Sequence, residues 1–150
     1  MSVSGLDEIG DRLLVIFDGY CGFCNRSVRW FLAHDRQDRL RFVPYESPKI
    51  AGLLARHGIG APELMLDPSI FLVVRDPGSP TERLLVRSDG VLALLRELPR
   101  PWPAVAAGLG WVPRALRDLV YRLIACLRYR IWGRMQSCPL PTAEERARFL

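Results

Sequence analysis

The sequence predicts an α/β fold whose core elements follow in the order βαβαββα, with additional helices at the C-terminus. Three observations lead to this class: a continuous apolar run at 13–17, alternating strand and helix patterns up to residue 98, and turn-forming residues between them. The chain has 150 residues, which suits one domain with a sizeable core. We therefore expect a single domain, 1–150, with its core at 11–98 and a helical extension at 104–150.

The first strand and helix have the strongest patterns in the chain. Residues 13–17 are Leu-Leu-Val-Ile-Phe, which predicts a buried strand covered on both faces in a parallel setting. A helix should follow, because Cys24, Val28 and Phe31 recur on one stripe at helical spacing. Trp30 falls on the other side of this helix.

A second strand and helix are expected next. The strand is predicted at 39–45, where apolar residues dominate. Ser47 is a suitable N-cap and Pro48 suits the first helical position, so a helix should begin there. Gly58 is a plausible residue to end it.

Two further strands and a helix complete the predicted core. The apolar segments 70–75 and 83–87 flank a turn-rich stretch, so we expect them to pair antiparallel. Ser88 or Asp89 should cap the following helix. Its inward residues are expected to be Val91, Leu92, Leu95 and Leu98.

The C-terminal extension begins after a proline-rich break at 99–103. Its main helix carries an apolar stripe formed by Leu116, Leu119, Val120, Leu123, Ile124 and Leu127. The opposite face carries Arg114, Arg117 and Arg128, which we expect to be solvated.

The apolar stripe of this helix needs a surface to pack against. We favour a helical cap over the helix layer of the core, with Trp30 as a candidate contact. One alternative is a partner or membrane-surface helix, because basic amphipathic helices bind anionic lipid. Another is a cap that shapes a substrate cleft over Cys21. Beyond it, Thr142 and Glu145 fit a capping box that opens a short terminal helix.

Charge and hydropathy bear on partners and location. The net charge is +5 and is carried by arginines, with Lys49 the one lysine. Because the arginines are scattered, with some clustering after Trp111, we expect a solvated surface and no nucleic-acid partner. No apolar run is long enough to span a bilayer, and the N-terminus lacks the order of a signal peptide, so a cytoplasmic location is expected. Structural disulfides are rare there, so closely spaced cysteines are more often catalytic or metal-binding.

Two cysteines stand three residues apart where the first helix begins. This spacing puts their Cα atoms roughly 5–6 Å apart, within reach of a disulfide. Cys21 should lie at the helix mouth, where the dipole favours a thiolate, and Cys24 should be buried one turn inside. We therefore expect Cys21 to attack a disulfide and Cys24 to resolve the mixed disulfide. Added positive charge would come from Arg26 or Arg29.

Neighbouring residues receive provisional roles. Gly22 should let a substrate backbone approach closely, and Phe23 should offer it an apolar contact. Asp18 has two interpretations: it caps the turn into the helix, or it exchanges protons with Cys24 during turnover.

The cysteine pair has two other interpretations, a zinc site and a pair of inert core residues. A zinc site needs two more ligands, and Cys126 and Cys138 do not form a second pair of the same spacing. We therefore predict no metal. The two cysteines are alternatively inert core residues. Cys126 is expected to be a packed small hydrophobe, whereas Cys138 is either an anchor for the tail or a third redox thiol.

Residues 17–24, FDGYCGFC, resemble the signature of the DCC family. Further similar segments are 41–42, 46–47, 117–121, 128–133, Cys138 with its neighbouring prolines, and 148–150. This resemblance implies a thiol–disulfide oxidoreductase with a thioredoxin-like fold and Asp18, Cys21 and Cys24 as its functional positions. In thioredoxin-type folds, a cis-proline before the third strand helps bind substrate. Pro68 fits that place, or it is a trans turn proline.

The leading hypothesis is a thiol–disulfide oxidoreductase that needs no organic cofactor. Its partners would be a disulfide-containing protein or small-thiol substrate and a reducing partner. The alternative is a thioredoxin-like binding or redox-sensing module whose cysteines are structural or hold a metal. Exposure separates the two: an accessible Cys21 beside a groove favours the enzyme, and two buried sulfurs favour the module.

Overall fold

The computed structural model describes residues 10, 12–60, 71–75, 82–133 and 142–149. These residues form a mixed α/β structure in the predicted order. The elements are β1 (Leu13–Phe17), α1 (Gly22–His34), β2 (Leu40–Pro44), α2 (Ala51–Arg56), β3 (Phe71–Arg75), β4 (Glu82–Val86), α3 (Arg87–Glu97), α4 (Trp102–Gly110) and α5 (Arg114–Ile131). Two short 3₁₀ turns are also present: Pro48–Ile50 lies between β2 and α2, and Glu145–Arg148 follows α5 in the sequence.

The four described strands form one sheet in the order β2-β1-β3-β4. β1 pairs with β2 in parallel, Leu13 lying opposite Leu40, whereas β3 is antiparallel to both β1 and β4. The predicted parallel setting of β1 and the antiparallel pairing of β3 and β4 are both confirmed. Because β1 and β2 are parallel, the loops that leave their carboxyl ends lie at the same edge of the sheet.

The β1 strand contributes to the core on both faces of the sheet, as predicted. Leu13, Val15 and Phe17 pack with α1 and α3, while Leu14 and Ile16 pack against the opposite layer. That opposite layer consists mainly of Val43, Ile50, Leu53 and Leu54. All five β1 residues are buried, so the loop that follows begins at a rigid point.

The α1 helix buries its predicted stripe of Cys24, Val28 and Phe31. On its other side Trp30 stacks on His34, with ring centroids 4.2 Å apart, and meets Trp102 edge-on at 4.7 Å. Trp30 is therefore a contact surface for the extension, but the contact comes from α4.

The α5 helix presents the opposite face to the core from the one predicted. Its apolar stripe is 41–56% exposed over Leu116, Leu119, Val120, Leu123, Ile124 and Leu127. Its polar side faces the core instead, where Arg117 pairs with Asp89 at 3.3 Å and Asp118 accepts a hydrogen bond from Ser88. The expectation of a cap that buries this stripe is wrong, because these polar groups find their partners only with the stripe turned outward.

The capping predictions have mixed outcomes. Thr142 Oγ1 accepts the Glu145 N–H at 3.3 Å and the Glu145 carboxylate accepts the Thr142 N–H at 2.9 Å, which confirms the capping box. It opens a 3₁₀ turn and not an α-helix. Ser88 and Asp89 do not cap α3, because both lie within its first turn and bond to α5.

The second helix is shorter than expected. Ser47 accepts the Lys49 N–H at 3.4 Å, but the turn it begins is 3₁₀ before α2 continues. Gly58, with φ +71°, follows the end of α2 in the left-handed conformation that glycine favours, as predicted.

Asp35 holds the turn between α1 and β2. Its fully buried carboxylate accepts the Arg39 and Leu40 N–H groups, each at 3.0 Å, and lies 3.8 Å from the Arg148 guanidinium. We expect Asp35→Ala to lower the free energy of unfolding by about 3 kcal/mol, because two N–H groups lose their acceptor. Chemical denaturation measures this change.

Asp35→Asn is the matched control, since its carbonyl oxygen still accepts one of these bonds. It should lose less than Asp35→Ala. Equal stability of Asp35→Ala and the natural protein would show that the carboxylate does not hold this turn.

Candidate active site

The loop between β1 and α1 is fixed by hydrogen bonds at both ends. Buried Asp18 accepts the Tyr20 N–H through Oδ1 at 3.0 Å, and its carbonyl accepts the Cys21 N–H at 3.3 Å. The Asn25 side-chain amide donates to the carbonyls of Gly19 and Cys21 at 2.8 and 2.9 Å. Asp18 therefore orders this turn through both its side chain and its backbone carbonyl.

Cys21 is the N-cap of α1, at the helix mouth where the sequence placed it. Its Sγ accepts the Cys24 backbone N–H at 3.3 Å, one of the donors that every helix leaves unpaired at its first turn. Both cysteines are free thiols. The structure thus brings Cys21 and Cys24 together at a helix N-terminus, where the dipole favours negative charge.

A buried arginine from α5 completes the site. Arg128 is 3% exposed, and its Nη1 donates to the Cys24 Sγ at 3.4 Å. Its Nη2 lies 3.7 Å from Oδ2 of Asp18, whose side chain is 2% exposed. One guanidinium therefore links the carboxylate to the thiol pair.

Sequence reasoning missed this residue. Arg128 was expected on a solvated face, and Arg26 or Arg29 was expected to supply the charge. Arg26 is instead exposed, and Arg29 lies 4.0 Å from Glu145. The available signal was the position of Arg128 within the similar segment 128–133.

The two thiols differ in acidity. The hydrogen bond from the Cys24 thiol lowers the pKa of Cys21 to about 6, with help from the Cys24 N–H and the Arg128 charge, although burial acts against it. The same hydrogen bond, and then burial, raises the pKa of Cys24 well above its ordinary value. The proton of the pair therefore stays on Cys24, and Cys21 carries the negative charge at neutral pH.

Residues that follow β2 add two further titratable groups to this edge of the sheet. Glu46 Oε2 accepts the Gly19 N–H at 3.4 Å. Burial raises the pKa values of both Glu46 and Tyr45, and the nearby charge of Asp18 adds to each shift. The parallel pairing of β1 and β2 explains their presence, although the sequence interpretation assigned them no role.

Residues 132–133, here called the C-terminal strap, cover the mouth of α1. The Trp132 ring packs on Phe23 with centroids 4.7 Å apart. A Cβ on Gly22 would come within 2.8 Å of the Trp132 carbonyl oxygen. The sequence predicts Gly22 and Phe23 as substrate contacts. In this structure both residues instead lie against the protein's own C-terminal strap.

The thiol pair itself is inaccessible. Cys21 is 0% exposed and Cys24 is 2% exposed. The small cavity beside Cys24 and Arg128 has a volume of about 20 Å³, room for about one water molecule. Because a catalytic thiol must be accessible to its substrate, the burial of both sulfurs favours the binding or redox-sensing module.

Comparison with known proteins identifies the family. Residues 15–134 match the DCC1-like thiol-disulfide oxidoreductase family. The chain belongs to this family. It is 32% identical over 137 residues to a chloroplastic DCC family protein of Arabidopsis thaliana, covering 91% of this chain and 74% of that relative. It is 29% identical over 144 residues to the uncharacterized protein YuxK of Bacillus subtilis, covering 96% and 97%. No solved structure matches.

Other predicted positions of this DCC1-like protein have varied outcomes. Pro68 and Cys138 lie outside the described residues. Cys126 is exposed, so its expected packing is wrong. Within the described part of the chain, no three His, Cys, Asp or Glu side chains are grouped to hold a metal ion. Among the described helices, none has both the length and the apolar character needed to cross a membrane.

The difference in pKa between Cys21 and Cys24 of this DCC1-like protein can be measured by absorbance, which does not require a thiol reagent to reach the buried sulfurs. Thiolate absorbance in the ultraviolet should give a midpoint near 6 for Cys21, taken as the difference from Cys21→Ala. Cys24→Ala should move that midpoint upward toward the ordinary 9.0, because it removes the hydrogen bond that contributes most.

Arg128→Gln provides a graded comparison for this titration. It should raise the midpoint less than Cys24→Ala does, because the arginine charge contributes less than the hydrogen bond. A midpoint near 6 that survives Cys24→Ala would contradict the assignment.

Proposed function

We propose that this protein is a thiol–disulfide oxidoreductase with a thioredoxin-like fold, in which Cys21 is the nucleophile and Cys24 the resolving thiol. The observation that supports this proposal most strongly is the difference between two thiols at one helix N-terminus: the pKa of Cys21 is lowered, whereas the pKa of Cys24 is raised. The sheet order β2-β1-β3-β4 and the βαβαββα succession support the fold assignment. Membership of the family supports the reaction class.

The reaction proceeds through a mixed disulfide. The Cys21 thiolate attacks one sulfur of a substrate disulfide, the S–S bond breaks, and the other substrate sulfur leaves as a thiolate. Cys24 then gives up its proton and attacks the Cys21 sulfur, which releases the second substrate thiolate and forms the Cys21–Cys24 disulfide. Two electrons pass to the substrate, and a dithiol partner returns them to the protein.

Arg128 acts at the resolving step. Its Nη1 already donates to the Cys24 Sγ, so it would stabilise the thiolate that Cys24 must become. Asp18 orders the turn and holds this guanidinium in place through its second oxygen. We further propose that Asp18 exchanges protons with Cys24 when the latter ionises.

Substrate access requires the C-terminal strap to move. The Trp132 carbonyl oxygen occupies the space over Gly22 where a substrate backbone would approach. In the proposed cycle the strap leaves, and the substrate takes its place beside Gly22 and Phe23.

Several elements of the proposal rest on the sequence alone. Pro68 would help to bind the substrate backbone, and Cys138 would be either an anchor for the tail or a third redox thiol. The substrate would be a disulfide-containing protein or small disulfide, with no organic cofactor. The protein would work in a reducing compartment such as the cytoplasm.

A redox-sensing or binding module is the second candidate. The burial of both sulfurs favours it, because a catalytic thiol must meet its substrate. In that case the pair would respond slowly to oxidants and would not form mixed disulfides with substrates.

A trapping experiment separates the two candidates. Cys24→Ser removes the resolving thiol, so the enzyme should accumulate a mixed disulfide at Cys21 when given a disulfide substrate. In the natural protein we expect a reversible Cys21–Cys24 disulfide. Mass spectrometry after thiol alkylation measures both products and shows whether Cys138 takes part.

Exposed Cys126 is the internal reference in the same spectra. If Cys126 is modified while Cys21 stays unmodified under mild oxidant and alkylator, the enzyme mechanism is wrong and the module is supported.

The role of the strap can be tested by adding one methyl group. Gly22→Ala should push the strap away from α1 and raise the alkylation rate of Cys21 about tenfold, corresponding to ~1.4 kcal/mol of weakened local closure. Timed alkylation of Cys21 relative to Cys126 measures this rate.

Gly52→Ala is the matched control, because no atom lies within 4 Å of the added methyl group there. It should leave the Cys21 rate unchanged. An unchanged rate in Gly22→Ala as well would mean that the strap does not control access.

A further inference from the structure

The outward face of α5 is an exposed apolar surface. This apolar face consists of Leu116, Leu119, Val120, Leu123, Ile124 and Leu127, all more than two-fifths exposed. The helix has 18 residues and is about 27 Å long, so the face forms a continuous stripe. Exposed apolar patches of this extent mark interaction sites on soluble proteins.

The α5 helix cannot rotate to hide the apolar face without losing its inward contacts. Arg117 pairs with Asp89, and Asp118 accepts a hydrogen bond from Ser88. One turn before the end of the helix, Arg128 is buried against the thiol pair. Because breaking such buried polar contacts is costly, the outward orientation belongs to the folded state.

The charge of the extension indicates the chemistry of its partner. The extension, residues 104–150, contains eight arginines and three acids, and its net charge of +5 equals that of the whole chain. On α5, Arg122 and Arg130 are exposed. The surface around the apolar face is therefore complementary to negative charge.

An exposed tryptophan precedes the apolar face. Trp111 lies just before α5 and is 90% exposed. Tryptophan side chains favour the boundary between lipid headgroups and acyl chains. A basic helix with Leu and Trp on its apolar side has the composition of a helix that lies in a membrane interface.

An apolar groove extends the face inward. It lies between α3, α4 and α5, has a volume of about 470 Å³, and is lined by Val91, Leu109, Leu116, Val120 and Ile124 among others. Its volume and apolar lining are those of a site for a small apolar group, such as the end of a lipid acyl chain.

We propose that the apolar face of α5 binds the surface of an anionic lipid bilayer. The apolar residues would enter the headgroup boundary, Trp111 would anchor the start of the helix, and the exposed arginines would contact lipid phosphates. A second copy of the chain fits less well, because the same exposed arginines would meet each other across a symmetric interface. This proposal is independent of the redox function.

Vesicle sedimentation tests the proposal with the full chain. We expect binding to vesicles of equal parts phosphatidylglycerol and phosphatidylcholine, and much weaker binding to phosphatidylcholine alone. The double variant Leu119→Glu/Leu123→Glu should weaken binding at least tenfold, and Arg122→Gln roughly fivefold. High salt should also release the protein.

A control measurement distinguishes loss of vesicle binding from loss of the folded structure. The ultraviolet midpoint of Cys21 should stay unchanged in the double variant, because Arg128 on the same helix reports the position of α5. Failure of the natural protein to bind anionic vesicles overturns the proposal. It is also overturned if light scattering shows a dimer that the double variant dissociates.

Discussion

The buried guanidinium of Arg128 is the contact on which the arrangement of this protein depends. A charge that is 3% exposed is tolerated only beside partners that compensate for lost water. Here those partners are the Asp18 carboxylate, which orders the β1–α1 turn, and the Cys24 sulfur. Because Arg128 lies near the end of α5, this one residue couples the helical extension to the cysteine motif, although 104 positions separate it from Cys24.

The same contact explains why α5 is turned outward. Three polar side chains on its inner side, Arg117, Asp118 and Arg128, bond to residues that follow β4 or β1. Burial of the apolar face would be favoured by the hydrophobic effect. It would also leave these polar groups without hydrogen-bond partners or move them away from the partners they have. The apolar face is therefore exposed as a consequence of where the polar partners lie.

The sequence predicts the core well and the extension poorly, for a physical reason. Within the core, local signals agree with the fold: the apolar run of β1 is buried on both faces, and the α1 stripe through Cys24 points inward. The position of Cys21 at the helix mouth follows from that same local pattern. For α5, hydrophobic periodicity identifies the helix but gives the wrong inward face, because long-range ion pairs decide its orientation. Likewise, the packing of residues 132–133 on Gly22 and Phe23 is a long-range contact with no local signature.

The complete burial of Cys21, next to the contact between Gly22 and the carbonyl oxygen of Trp132, has a kinetic consequence for any chemistry at its sulfur. A reagent can meet this sulfur only in the fraction of molecules in which the cover, meaning the residues that bury Cys21, is displaced. Every observed rate is therefore the intrinsic rate multiplied by that fraction. If the open fraction is about one in a hundred, small oxidants react about a hundredfold more slowly than with a free thiolate. A partner that binds the open form raises the fraction itself and recovers the rate. The cover would thus filter reactants by affinity, so that a strongly ionised thiolate persists without reacting with every oxidant it encounters.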